Sequence, residues 1–191
     1  MSQSVAFEKP KIDLSSAQWT MHEFFAGSGL VAYGLKGMFA PIWANDISEQ
    51  KESVYKANFG DEHFELGDIK EVKGCELPSA HLSWASFPCQ DLSLAGSIGG
   101  IHASRSGLVW EWLRVLDEMN EKPKILLLEN VSGLLSTNGG DNYRAIHMAL
   151  VERGYNCGAI VLNASLFVPQ SRPRVFMIAV EKHCNVPLEL I

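Results

Sequence analysis

Four groups of residues have the types and spacing to do chemistry. Cys89 stands directly behind Pro88, where the apolar run of "LSWASFPCQDLS" (82–93) gives out. Pro88 fixes its own φ and biases Phe87 towards extended geometry, so the chain leaves the run in a set direction. A thiol at the mouth of an α/β sheet, near helix N-termini, can have a depressed pKa and act as a nucleophile. Glu129 ends the apolar run "ILLL", where desolvation raises a carboxyl pKa, as a proton donor requires. Gln170, Arg172 and Arg174 alternate on the entry to a further strand. With period 2 they share a face, and two guanidiniums beside an amide can hold anionic or carbonyl oxygens. The fourth group is "GSGLVA", in which Gly27, Gly29 and Ala32 fit the G-x-G-x-x-G/A form that lets a backbone approach a ligand at a helix N-terminus. Asp46 lies 17 residues past Gly29, where a carboxylate can take both hydroxyls of a ribose. Together these two point to an adenosine-containing cofactor, with NAD and S-adenosylmethionine both open.

The elements that must position these groups alternate between strand-like and helix-like runs. "TMHEFFAG" (20–27) reads as a strand broken at Gly27, followed by a helix with Val31, Leu35 and Met38 in register. "FAPIWAND" (39–46) is a second strand, after which Ser48 is an N-cap, Glu49 and Glu52 fall in the first turn, and Gly60 closes the helix. "FELGDI" is a short further segment, and "HLSWASFP" another strand. "LVWEWLRVLDEM" (108–119) is amphipathic, with Leu108, Trp112, Val115/Leu116 and Met119 on one face. "PKILLLEN" (123–130) has the unbroken apolar run of a strand covered on both sides, and "YRAIHMALVERG" is a helix stopped at Gly154. "NCGAIVLN" and "RVFMIAV" follow with only a loop between them, which makes them a hairpin. Such alternation predicts an α/β, doubly wound, mostly parallel sheet with helices on both faces and one antiparallel strand at or near its edge. Ligands then bind outside the carboxyl ends of the strands, where the Phe25–Gly29 stretch, Asp46, Cys89 and Glu129 finish theirs and Asp68 ends the short segment.

A chain of 191 residues makes one domain, here 19–182 between an N-terminal tail (1–18) and a C-terminal tail (183–191), and buries roughly 70% of its unfolded surface. The polar N-terminus has no signal-peptide core, and runs such as "VFMIAV" are far too short to cross a bilayer, so a soluble, cytoplasmic protein is expected. Cysteines at 75, 89, 157 and 184 show no zinc spacing and no disulfide framework, leaving free thiols and no metal. A net charge of -6, from 16 basic and 22 acidic residues, stands against unaided grip on nucleic acid. The segment 91–107, with four glycines and four serines, is long for such a connection and reads as a lid.

Taken together, these residues resemble the cytosine-C5 DNA methyltransferase family over positions 20–180, in the family's motif order. The resemblance implies a Rossmann-like methyltransferase fold and S-adenosylmethionine as methyl donor. "FFAGSG" looks like the motif in which Phe25 stacks on adenine while Gly27 and Gly29 line the methionine part. "WAND" puts Asp46 on the ribose, where many members have Glu, and "GDI" brings Asp68 to the adenine amine. Ile47, Ile69 and Pro88 join that cofactor set. "FPCQDLS" is similar to the nucleophile motif and makes Cys89 catalytic, while "ENVSGL" makes Glu129 the proton donor. "VPQSRPRVFMIAV" resembles the Gln-x-Arg-x-Arg motif, so Arg174 and Arg172 hold the base O2. Gln90, Ser93 and Gln170 touch the extruded nucleotide. Double-stranded DNA is the implied substrate, in a restriction-modification setting.

There are departures. Leu30 replaces a common glycine, and His22-Glu23 stands for the usual Asp-Leu. "SLFVPQ" lacks a frequent Gly-Val. The family continues into a target-recognition domain and two further motifs absent here, which implies one subunit of a split enzyme needing a complementary C-terminal subunit, a truncated piece, or a relic. Rival readings are a tRNA-directed methyltransferase of the same fold, a nicotinamide dehydrogenase, which leaves Gln170, Arg172 and Arg174 idle, and a non-catalytic binding module.

Overall fold

The computed structural model describes residues 12–88 and 107–184. The chain runs β1 (Trp19–Phe24), α1 (Leu30–Leu35), β2 (Phe39–Asp46), α2 (Glu49–Phe59), β3 (Phe64–Leu66) and β4 (Leu82–Ala85). It continues through α3 (Leu108–Glu118), β5 (Ile125–Val131), α4 (Asp141–Glu152), β6 (Tyr155–Asn163) and β7 (Pro173–Glu181). The strands form one seven-stranded sheet in the order β3-β2-β1-β4-β5-β7-β6. Every pairing from β3 to β5 is parallel, while β7 is antiparallel to both β5 and β6. The expected hairpin is thus β6–β7, with its antiparallel strand inserted one place in from the edge.

Two apolar layers hold the sheet. On one face Phe24, Leu126, Leu128, Val175 and Met177 pack with Trp112 and Leu116 of α3 and Ile146 and Leu150 of α4. On the other, Met21 and Ala44 pack with Ala32 of α1 and with Tyr55 and Phe59 of α2. Ile12 and Leu14, ahead of β1, lie on this second layer. The α3 stripe expected from periodicity is buried at Trp112, Val115, Leu116 and Met119. Gly60 and Gly154 end their helices with positive φ, each donating its N–H back to a helix carbonyl. The first helix is shorter than its apolar spacing suggests: it stops at Leu35, Gly37 turns at φ 90, and Met38 is half exposed outside it.

This strand order locates the site. The chain moves outward from β1 to β2 to β3, then returns to place β4 on the other side of β1. Helices on either side of that reversal lie on opposite faces, so a crevice opens at the carboxyl ends of β1 and β4, between Phe24 and Ala85.

Candidate active site

At the end of β1 the backbone turns through Phe25 at φ 58, Gly27 at φ 59 and Gly29 at φ 83. A positive φ at phenylalanine is uncommon and persists only where the surroundings enforce it, a condition typical of ligand sites. Here the enforcement is visible. The Ala26 N–H donates to the Asn45 carbonyl at 2.9 Å, and the Gly27 N–H donates to Asp46 Oδ2 at 2.9 Å. Gly29 is required by contact as well as by conformation: a Cβ there would sit 2.3 Å from the Phe59 ring and 3.0 Å from Tyr55. Among the described residues no atom lies within 4 Å of a Cβ placed at Gly27, so none of them covers that part of the turn. A backbone bared in this way fits the close approach of a cofactor.

Asp46 is buried at the end of β2, 4% exposed. Its Oδ2 takes the Gly27 N–H and faces Lys51 Nζ at 3.4 Å, while Oδ1 accepts the Ser48 N–H at 3.0 Å. The α2 N-terminus is therefore served by Asp46, and Ser48, though at the N-cap position, makes no side-chain cap. Ile47, just after β2, and Leu30, at the start of α1, are both exposed. Asp68 lies half buried beyond β3, its Oδ1 accepting the Lys70 N–H at 3.0 Å to cap a short 3-10 turn. Ile69 opens that turn with its side chain in the core, and its carbonyl accepts from Arg114 at 3.0 Å.

On the β4 side, Phe87 is buried and Pro88 exposed. The Phe25 and Phe87 rings meet edge to face at 6.4 Å, joining the two lips of the crevice. Cys89, Gln90 and Ser93, and nearly all of the 91–107 loop, lie outside the described residues. Asn130 carries a role that periodicity does not reveal. This buried amide at the end of β5 donates to the Phe87 carbonyl at 3.0 Å and accepts the Val131 N–H at 2.8 Å. It thereby ties the Glu129 strand end to the segment that leads into Cys89.

Glu129 precedes that amide, half buried, with Oε1 3.0 Å from Arg174 Nε. A guanidinium, rather than an apolar wall, is what meets its carboxylate. Of the three alternating residues, only Arg174 is on the strand, since β7 begins at Pro173. Arg172 and Gln170 precede it and are exposed. The segment carrying them is held by Asn163, whose Oδ1 accepts the Arg172 N–H at 2.9 Å and the Ser165 N–H at 3.1 Å. The period-2 argument thus reaches Arg174 alone. Among the described residues no group of three or more His, Cys, Asp or Glu could hold a metal ion, and no helix is long and apolar enough to cross a membrane.

Comparison with known proteins follows the same outline. The family model for C-5 cytosine-specific DNA methylase matches residues 19–189. The chain is 32% identical over 174 residues to the type II methyltransferase M.Bsp6I of Bacillus sp. (strain RFL6), covering 86% of this chain and 54% of that protein. It is 31% identical over 166 residues to the type II methyltransferase M.HhaI of Haemophilus parahaemolyticus, covering 86% and 50%. The chain spans about half the length of the curated relatives it matches. Among solved structures, the S. pombe Dnmt2 methyltransferase shares the fold with a TM-score of 0.69 at 23% identity, over 89% of this chain and 51% of that one. A strained turn pinned by Asp46 at the sheet's reversal, a Glu129–Arg174 pair on the same rim, and a sequence match across nearly all of the chain lead to one assignment: the protein belongs to the C-5 cytosine-specific DNA methylase family.

Proposed function

We propose that this chain is the catalytic half of a DNA cytosine-C5 methyltransferase that takes its methyl group from S-adenosylmethionine. The observation that carries this reading is the Phe25–Gly29 turn, bared at Gly27 and anchored by Asp46, at the strand ends that also carry the Glu129–Arg174 pair. Phe25, Gly27, Gly29, Asp46, Ile47, Asp68, Ile69 and Pro88 would hold the cofactor, which supplies an electrophilic methyl on a sulfonium.

C5 of cytosine is too weak a nucleophile to take that methyl unaided. Cys89 thiolate adds to C6, forming an S–C6 bond, while Glu129 shares a proton with N3. The ring electrons are then available at C5, which would take the methyl as the S–CH3 bond breaks and S-adenosylhomocysteine leaves; loss of the C5 proton to a solvent base expels the thiolate and restores the ring. A covalent intermediate divides one hard step into two. Arg174, with Arg172, holds the base O2, and the Arg174 contact to Glu129 keeps that carboxyl directed to the same spot. The base must leave the duplex to be reached, at a few kcal/mol of unstacking. Gln90, Ser93 and Gln170 meet the extruded nucleotide.

The part that reads sequence and grips phosphate lies outside these 191 residues, in a complementary C-terminal subunit or a target-recognition domain, consistent with a net charge of -6 here. Trp84, Leu127 and Ile178 share one sheet face by register; Trp84 and Leu127 pack against the α1–α2 layer, while Ile178 and Ile160 are exposed. Leu166, Phe167 and Val168 form a further exposed apolar run beside Gln170. Such surface suits a permanent partner.

A duplex carrying 5-fluorocytosine, incubated with S-adenosylmethionine and the candidate complement, tests the whole reading. The expected result is a covalent adduct at Cys89 that Cys89→Ser abolishes. An adduct formed on tRNA and not on duplex DNA would move the substrate to RNA, and site-specific methylation by the lone chain would remove the need for a partner.

A further inference from the structure

Beneath the Phe25–Gly29 turn lies a carboxyl group that the reaction leaves without a role. Glu23 is in β1, fully buried, two residues from Met21 and so on the α1–α2 face. The Tyr55 hydroxyl, entering from α2, is 3.3 Å from Glu23 Oε2 and 3.2 Å from His63 Nε2. The backbone amides of Val31 and Ala32 in α1 pull the Glu23 pKa down against the larger effect of burial, and among the described residues Oε1 has no hydrogen-bond partner. The strand neighbours of Glu23 are Ala44 and Trp84, neither ionisable, and α1 carries no charged side chain. The other carboxylate at this turn, Asp46, holds Gly27 from the end of β2.

A buried carboxyl with an unpaired oxygen destabilises a fold, so its presence asks for a reason. The turn supplies one. Phe25 at φ 58 relaxes unless both ends of the turn are held, and Gly29 rests directly on the Tyr55 and Phe59 rings. Tyr55 thus touches the turn through its ring and the clamp through its hydroxyl.

We propose that Glu23, Tyr55 and His63 are positioning residues for the Phe25–Gly29 turn: neutral Glu23 on β1 and half-buried His63 clamp the Tyr55 hydroxyl between them, and the Tyr55 ring so held supports Gly29. In the neutral state Glu23 donates to the Tyr55 oxygen, and Tyr55 donates to His63 Nε2. Ionisation reverses the chain, turning the Tyr55 O–H onto the carboxylate and placing an under-solvated charge beneath the turn. Burial pushes the Glu23 pKa up to about 8, and burial likewise lowers that of His63, keeping its ring neutral as the acceptor. The consequence for cofactor affinity rests on the S-adenosylmethionine reading above; the clamp itself does not.

Amide hydrogen exchange across residues 24–35, corrected for intrinsic rates and followed from pH 6 to 10, tests the clamp. Protection in the wild-type chain is expected to fall with a midpoint near 8, the ionised-to-neutral ratio changing about tenfold per pH unit. Glu23→Gln, neutral at every pH, should hold protection constant. Tyr55→Phe should move the midpoint up, because the lost hydroxyl favours the carboxylate, whereas His63→Ala should move it down, because the neutral chain loses its final acceptor. A flat wild-type profile, an identical fall in Glu23→Gln, or midpoints unmoved in both other variants would overturn the clamp. S-adenosylhomocysteine affinity measured over the same range separates the two readings. A shared midpoint supports both, while a turn that titrates without any S-adenosylhomocysteine binding refutes the cofactor assignment and leaves the clamp standing.

Discussion

Arg174 Nε lies 3.0 Å from Glu129 Oε1 across the β5–β7 ladder, a diagonal contact between the register pairs Glu129–Phe176 and Val131–Arg174. The antiparallel strand is what makes it possible. β7 runs back past β5, so a residue at the start of one strand meets a residue near the end of the other, at the sheet's carboxyl rim. Both side chains are about a fifth exposed, 19% and 22%, and a pair so placed contributes only about 0–1 kcal/mol to stability.

That small contribution separates stability from chemistry in one variant. Arg174→Met should shift the urea unfolding free energy by under about 1 kcal/mol. In the complemented enzyme it should lower the rate of methyl transfer by roughly 10²–10³-fold, the loss typical of one donor aimed at a reacting oxygen. Equal losses in both measurements would show that Arg174 is structural.

Asn130 should behave in the opposite sense. Its amide serves the Phe87 carbonyl in buried surroundings and the Val131 N–H in partly buried ones. Asn130→Leu leaves two groups unpaired at about 1–3 kcal/mol each, so a loss of about 2 kcal/mol or more is expected in denaturant titration. Amide exchange at Val131 should rise with it.

The two glycines of the turn are not equivalent, although the motif treats them alike. Gly29→Ala puts a Cβ 2.3 Å from the Phe59 ring at φ 83. Left-handed strain of about 1–2 kcal/mol and overpacking of about 1–3 kcal/mol should combine. Gly27→Ala meets no atom within 4 Å, so only the strain remains. Thermal melts of the two variants should differ clearly, and Gly27→Ala should weaken S-adenosylhomocysteine binding without a comparable loss of stability.

Two buried groups on β1 shape stability against pH from opposite sides. Glu23 has its pKa raised by burial to about 8, so its folded state is favoured in the neutral form; stability is complete below the unfolded value of 4.5 and falls as pH rises to about 8. His22 has its pKa lowered by burial to about 4, with Nε2–H donating to the Pro78 carbonyl at 2.7 Å. Its contribution is complete above 6.5 and is lost as pH falls towards 4. Unfolding free energies measured from pH 4 to 9 should show Glu23→Gln flattening the alkaline limb and His22→Asn the acidic one.

The alternation of strand and helix, the glycine turn, and the candidate roles of Asp46, Cys89, Glu129 and Arg174 were legible in the chain alone. Those are local matters: an apolar period, a glycine that tolerates positive φ, a proline that directs the chain, and a motif order shared with a family. Tertiary structure decided which neighbours these groups have. It set β7 between β5 and β6, gave Glu129 a guanidinium where burial alone was expected, left Gln170 and Arg172 short of the strand, and turned Asp46 inward onto Gly27. It also brought together Glu23 with Tyr55, 32 residues apart, and Asn130 with Phe87, 43 apart. The physical reason is that a residue's period reports the face it occupies, whereas a hydrogen bond between distant segments depends on strand order and on which strands run antiparallel, and these emerge only once the whole sheet is assembled.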